Sequence, residues 1–442
     1  MIVTSVSLTN AAGNTVSLLS TPLHVEFLHL NGTVEPLQTV SIPQGVYTSA
    51  TVAVDNPTFV CNALDATGVL YSGQFEEPGA LIPSAVTVSL PAPITITGTD
   101  MELALNLLVS RSATWIPGGT GGCPSLNNPG PFSIAPTFEL TPLPNHSDGI
   151  STDLLGMIAS VGASGDGFTV TAEEGPSCVP PAGATCYPIA ANGPSWQVTT
   201  NANTVYQGIV GLSQLAAGMP VDMDVAFQGD GSLLVTRVAV YDTNTTNLNT
   251  SSGPLLFVSN SQSWLADSIT EEQGNLPPTI GALDYSFSHA IFQTSGHLTN
   301  VQSLPFTASF TAANMVAGQS VFITANTPTL QASPIFISIT SITLLPQTLD
   351  GTVSAIGSDG SFTTYTITLA PYDLFPQFAV QPGQTTLLTN PSQVVVYADS
   401  NTQMLNTNPI TVGGVTRFYG LVFNDNGTLR MDASEIFDGV PE

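Results

Sequence analysis

The chain has 442 residues, of which 42% are hydrophobic and only 8% charged, and its formal net charge is −27. That length implies several domains, each with its own core, and the scarcity of cations excludes a phosphate-binding surface for nucleic acid or for an anionic membrane. All the basic residues are arginines (Arg111, Arg237, Arg417 and Arg430), so a phosphate-loop lysine, a lysine Schiff base and a Lys–Asn isopeptide crosslink are excluded as well.

In chain order, "MIVTSVSLTN" opens with strand-like alternation. Without a basic start or a continuous apolar run it is not a signal peptide, so an exported chain would have lost its leader or carry it upstream of this numbering. Ile2, Val3, Val6 and Leu8 are predicted to form an assembly strand that pairs with a neighbouring copy's sheet edge. Next, "LHVEFLHL" puts His24 and Glu26 on one face of a strand and His29 on the other, which is too few convergent ligands for zinc. In "TDMELALNLLVSRS" (99–112), Met101, Leu103, Leu105, Leu107 and Val109 alternate as in a strand, and helical periodicity is nearly absent throughout. The Gly-rich stretch 115–131 has no lysine or helix start beside it and reads as a long exposed loop.

Four cysteines allow three pairings. Cys61–Cys123 and Cys178–Cys186 are predicted because each pair lies within one expected domain, and disulfides of this kind belong to an oxidising, extracellular compartment. The carboxylate pairs Glu76–Glu77, Glu173–Glu174 and Glu271–Glu272 adjoin Pro/Gly turns and point apart on a strand, unlike the convergent acids of a glycosidase. Asp222 and Asp224 in "VDMDV" share a strand face, and with a third oxygen donor would make a Ca²⁺ site; they are the metal candidates of the sequence. There is no G-x-S-x-G, and neither a cofactor motif nor a catalytic set is found, so no enzyme and no cofactor is expected.

Repeats organise the rest. "LAAGMPVDMDV", "MVAGQSVFITA" and "TVGGVTRFYGL" place repeat-turn glycines at Gly218, Gly318 and Gly414, and a second strand follows each. "GDGSLL", "GSDGSF" and "NDNGTL" read as hairpin turns. The fold expected is all-β: an N-terminal β-sandwich over 1–149, then three related small barrel or sandwich units at 150–245, 250–348 (divergent) and 349–442. "YDTNTTNLNTSSG" (241–253) is read as a linker, and the short passage from "LLPQ" to "TLDG" predicts a rigid join between the last two units.

The stretch from "VTSVSLTNAAGNTVSLL" through "SIPQGVYTSATVAV" resembles a bacterial envelope, lipoprotein-associated domain of unknown function. Its signature falls here on Ile42, Pro43, Gly45, Tyr47 and Thr48. The resemblance implies a transthyretin-like sandwich, and the later units are similar to a tandem family of small OB-like barrels, also of unknown function. Neither family carries a catalytic set. The expected function is a secreted structural protein, a self-associating subunit of an extracellular fibre or surface layer. It would not insert in a membrane. The alternative is a monomeric surface adhesin or carbohydrate-binding module that stacks surface glycans on Trp115, Trp196 or Trp264.

Overall fold

The computed structural model describes residues 2–25, 27, 35–55, 58–64, 70–76, 84–98, 101–115, 132–134, 136–142, 150–163, 165–172, 193–228, 230–243, 248–259, 263–267, 281–287, 289–296, 303–326, 336–370, 373–380, 388–404 and 409–438. The chain is all-β. It divides into two compact units, Met1–Ala63 with Tyr71–Val240, and Leu64–Leu70 with Tyr241–Glu442.

The first unit opens with β1 (Ile2–Asn10), β2 (Thr15–Ser17), β3 (Leu23–His24), β4 (Gly45–Asp55), β5 (Thr58–Leu64), β6 (Leu70–Glu76), β7 (Ser84–Val88), β8 (Ile94–Ile96) and β9 (Leu103–Leu107). A one-turn helix α1 (Val109–Ser112), β10 (Ala113–Trp115), β11 (Phe132–Ile134) and β12 (Phe138–Pro142) follow. The main sheet runs β2-β1-β4-β7, with β3 beside β1 and β8 beside β4, while β9 pairs with β12. Phe138 and Leu140 of β12, with Leu103, Leu105 and Leu107 of β9, cover the core face of the main sheet, so two layers enclose one core. Leu103–Leu107 are a strand, as their alternation predicts, and the following residues turn into α1.

The N-terminal strand is not free to be donated. β1 pairs with β2 and β3 on one side and with β4 on the other, and Ile2, Val3, Val6 and Leu8 are all buried, the last three in the domain's own core. The alternation that suggested an exposed assembly strand is that of an interior strand. A register shift between Val3 and Ser5 puts Val3 on the same core as Val6 and Leu8, and Thr4, the extra residue, donates its hydroxyl to the Ala53 carbonyl at 3.0 Å. The "I-P-x-G-x-Y-T" stretch also has a physical role. Tyr47 is 2% exposed and its hydroxyl donates to the Pro43 carbonyl at 2.8 Å, which pins the corner leading into β4.

Three six-stranded barrels follow. The first has β13 (Ile150–Val161), β14 (Gly167–Ala172), β15 (Ser195–Thr199), β16 (Val205–Gln207), β17 (Pro220–Phe227) and β18 (Leu233–Val240). The second has β19 (Leu248–Val258), β20 (Ser263–Asp267), β21 (Gly281–Ser286), β22 (Ile291–Thr294), β23 (Ser320–Asn326) and β24 (Phe336–Leu344). The third has β25 (Gln347–Asp359), β26 (Phe362–Leu369), a short helix α2 (Leu374–Phe378), β27 (Gln393–Ala398), β28 (Gln403–Met404), β29 (Val415–Asp425) and β30 (Thr428–Asp438). All three share one strand order: β15-β14-β13-β17-β18-β16 recurs as β21-β20-β19-β23-β24-β22 and as β27-β26-β25-β29-β30-β28. Parallel pairing of β15 with β18, β21 with β24 and β27 with β30 closes each sheet on itself, which removes most of its open edge.

The repeat extends to single hydrogen bonds. The amides of Gly218, Gly318 and Gly413 donate to the carbonyls of Ile158, Leu255 and Val353, three buried residues at equivalent places in the opening strands. These glycines have φ of 88°, 101° and 88°, where a Cβ would be strained. In the last barrel the turn glycine is therefore Gly413, and Gly414 is the residue after it. The final hairpin of each barrel also carries one bulge, whose extra residue is Thr236, Thr340 or Ser434. Each hydroxyl bonds back to the carbonyl of the facing residue, Asp224, Thr324 or Tyr419, at 3.2, 2.9 and 3.2 Å.

Part of the stretch read as a linker is strand: Leu248–Gly253 pair with Asn326–Val321 in β23. Its polar residues are strand-compatible threonine and serine, and Thr250 is buried. In the second unit only Leu345 and Pro346 separate β24 from β25. Leu421 and Phe423 of β29 enter the core of the second barrel, and Val316 enters that of the third. Gln319, fully buried, donates to the Val422 carbonyl at 2.8 Å. The short connection between these two barrels is thus backed by a shared core.

Candidate functional site

The densest group of ionisable side chains among the described residues lies in the first barrel. β17 alternates as a strand, which places Asp222 and Asp224 on one face, and β18 brings Arg237 opposite Asp224 at the register position before the bulge. Asp153 arrives from β13 at a break in register between Ser151 and Leu154, with a left-handed φ of 55° that aspartate tolerates better than most residues. Its backbone N–H donates to Asp224 Oδ1 at 3.1 Å.

These residues converge on the guanidinium. Arg237 Nε donates to Asp224 Oδ2 at 2.8 Å, and Nη2 donates to Asp224 Oδ1 at 2.9 Å, to Asp222 Oδ1 at 2.9 Å and to Asp153 Oδ1 at 3.3 Å. Nη1 reaches Asp222 Oδ2 at 3.3 Å. Asp222 is fully buried and Arg237 is 6% exposed. Burial opposes the charge on Arg237, but Asp222, Asp224 and Asp153 together outweigh it and hold the guanidinium protonated well above its usual range.

One oxygen from each aspartate lies within 4.8 Å of the others, a spacing suited to oxygen donors around a hard cation. The third oxygen donor that the sequence left open for Asp222 and Asp224 is Asp153. The cation at the centre is Arg237, bidentate to two carboxylates, and its role in the fold is to clamp β13, β17 and β18 together. Sequence reasoning missed Asp153 and Arg237. The one available signal was an arginine in a strand of a chain with only four basic residues.

The other two barrels fill the Arg237 position differently. Ser341 faces Thr324 there, hydroxyl to hydroxyl at 2.6 Å, and Glu435 faces Tyr419. The third barrel has its own ion pairs. Arg417 Nε and Nη2 donate to Asp350 at 2.7 and 3.1 Å, and Arg430 Nε donates to Asp425 at 2.8 Å. Arg430 also lies over the rings of Phe306 and Tyr397 and donates to the Tyr397 hydroxyl. Arg237, Arg417 and Arg430 are thus held in intramolecular ion pairs.

Of the remaining expectations, His24 lies on β3 at the margin of the first domain, nearly buried, while Glu26 and His29 lie outside the described residues. Cys123, Cys178 and Cys186 also lie outside them, and Cys61 is described by its strand β5 alone, so both disulfides stand as proposals. Trp196 is 4% exposed and its indole N–H donates to the Pro36 carbonyl at 2.8 Å. It fastens the 35–44 segment of the sandwich domain to the first barrel, so no open ring face is left there for a sugar. The side chains of Trp115 and Trp264 are not among those described. No family model matches this sequence, and no curated protein matches it significantly.

Proposed function

We propose that the protein is a secreted structural subunit that self-associates into an extracellular fibre or surface layer, and is not an enzyme. The observation that carries this reading is how the chain uses its rare charged pairs. One barrel plan is repeated with its hydrogen bonds intact, and the aspartate–arginine groups brought together inside it clamp strands. A plan repeated while its ionic side chains change suits a building element. With Arg237, Arg417 and Arg430 engaged internally, contacts between copies would rest on amide, hydroxyl and apolar groups, as the composition anticipates. The burial of β1 moves the expected contact away from N-terminal strand donation and onto domain faces.

Negative-stain imaging of the full chain at raised salt tests this. Fibres or sheets support it. Monodisperse particles that bind glycans, with binding abolished by Trp115→Ala or Trp264→Ala, would replace it with the adhesin reading.

A further inference from the structure

The helix α2 is five residues long, yet it joins two cores. Phe375 and Ala379, at its start and its C-cap, are buried in the core of the third barrel, while Phe378 packs against the core of the second. The helix lies on β19, and the Phe375 ring fills the space above Gly318, where a Cβ would sit 2.6 Å from it. This helix is therefore a staple between the barrels.

Its N-cap residue is Asp373, whose side chain makes no capping hydrogen bond to the helix. The carboxylate instead turns back, and Asp373 Oδ2 accepts from the Ala370 amide at 3.1 Å. The backbone of the same turn is tied to β25, since Ala370 N donates to the Asp350 carbonyl at 3.0 Å. Among the described residues, the charged groups that act on the Asp373 carboxyl are the Asp350 carboxylate on β25 and the Arg417 guanidinium on β29. Arg417 is already committed to Asp350 through two hydrogen bonds, so Asp373 faces a carboxylate whose counter-ion is taken.

We propose that Asp373 is a proton-operated latch on this staple: protonated, it lets α2 stay seated between the second and third barrels, and ionised against Asp350, it loosens the seat. The join is then stiffer in acid than in neutral or alkaline medium. Burial, followed by repulsion from Asp350, pushes the Asp373 carboxyl up to about 7, while the Ala370 and Asp350 N–H groups and Arg417 pull it the other way. A carboxyl whose pKa is raised in the closed state stabilises that state fully in acid, and the contribution fades as pH climbs to the closed-state value. With an ordinary carboxylate in the opened state, the opening equilibrium rises roughly tenfold between pH 6 and pH 8 and is flat above that.

Hydrogen exchange on the full chain reads this directly. The Ala379 amide, which donates to the Phe375 carbonyl at 3.1 Å, reports the staple, and amides within β29 serve as the internal reference. After correction for intrinsic exchange, the Ala379 opening constant relative to the β29 amides should rise by about tenfold from pH 6 to pH 8. Asp373→Asn should remove that rise. A merely structural residue would change protection equally at both pH values. An unchanged wild-type ratio, or a tenfold rise surviving in Asp373→Asn, would overturn the proposal. If that variant does not fold, carboxyl ¹³C titration of the wild type decides: a midpoint near pH 7 is required, and the absence of any aspartate titrating between pH 6 and pH 8 contradicts it.

Discussion

At the residue scale, the stability of the first barrel rests on balance around one guanidinium. Arg237→Met would remove the hydrogen bonds that the guanidinium donates to Asp153, Asp222 and Asp224, and losing one partner of a buried ion pair costs about 3–5 kcal/mol. Urea unfolding of the variant beside the wild type at neutral pH checks the size. Tyr47→Phe removes one buried hydroxyl bond to Pro43 and should cost about 1 kcal/mol by the same measurement. The Asp222–Asp224 half of the charged centre is legible in the sequence, because two acids spaced by one residue on a strand must share a face. The other half is not. Asp153 faces the centre only through a register break, and Arg237 meets Asp224 through a cross-strand pairing that no local pattern encodes. Trp196 likewise finds its partner 160 positions away in Pro36.

At the scale of elements, the repeat glycines separate two effects that sequence alone merges. Gly413 has open space where its Cβ would go, so Gly413→Ala should cost only the left-handed backbone strain, about 1–2 kcal/mol. Gly318→Ala adds a collision with Phe375 and should cost clearly more, with the excess relieved by Phe375→Leu. Thermal unfolding of the single and double variants measures the difference. "LAAGMP" and "MVAGQS" each offer one turn glycine, so those positions are readable. "TVGGVT" offers two in a row, and only the backbone shows that the first takes the positive φ. The interior position of β1 reverses the expectation for the N-terminus, because apolar alternation states that one face is buried and does not say by what. Deleting residues 2–10 should therefore unfold the sandwich domain while leaving the cooperative transition of the second unit in place. Calorimetry on the deletion variant should show one transition lost and one kept.

At the scale of the whole molecule, a charge of −27 makes identical chains repel. With Arg237, Arg417 and Arg430 paired internally, little positive charge is left to offset that repulsion across a contact. Self-association must then run through uncharged surface, and it should strengthen as salt screens the carboxylates. The all-β class and the repeated strand plan of the tandem units are legible from composition and repeats, because turn chemistry and strand alternation are local. Closure of each barrel by a parallel pair is not, since it joins strands 35 residues apart in the chain in the first and third barrels and 52 apart in the second. The most direct test of the account is sedimentation velocity on the full chain, from about 10 mM to about 1 M salt, over which the screening length falls from ~30 Å to ~3 Å. The structural-subunit reading predicts larger species that grow with both salt and protein concentration. A single monomer boundary under every condition would contradict it.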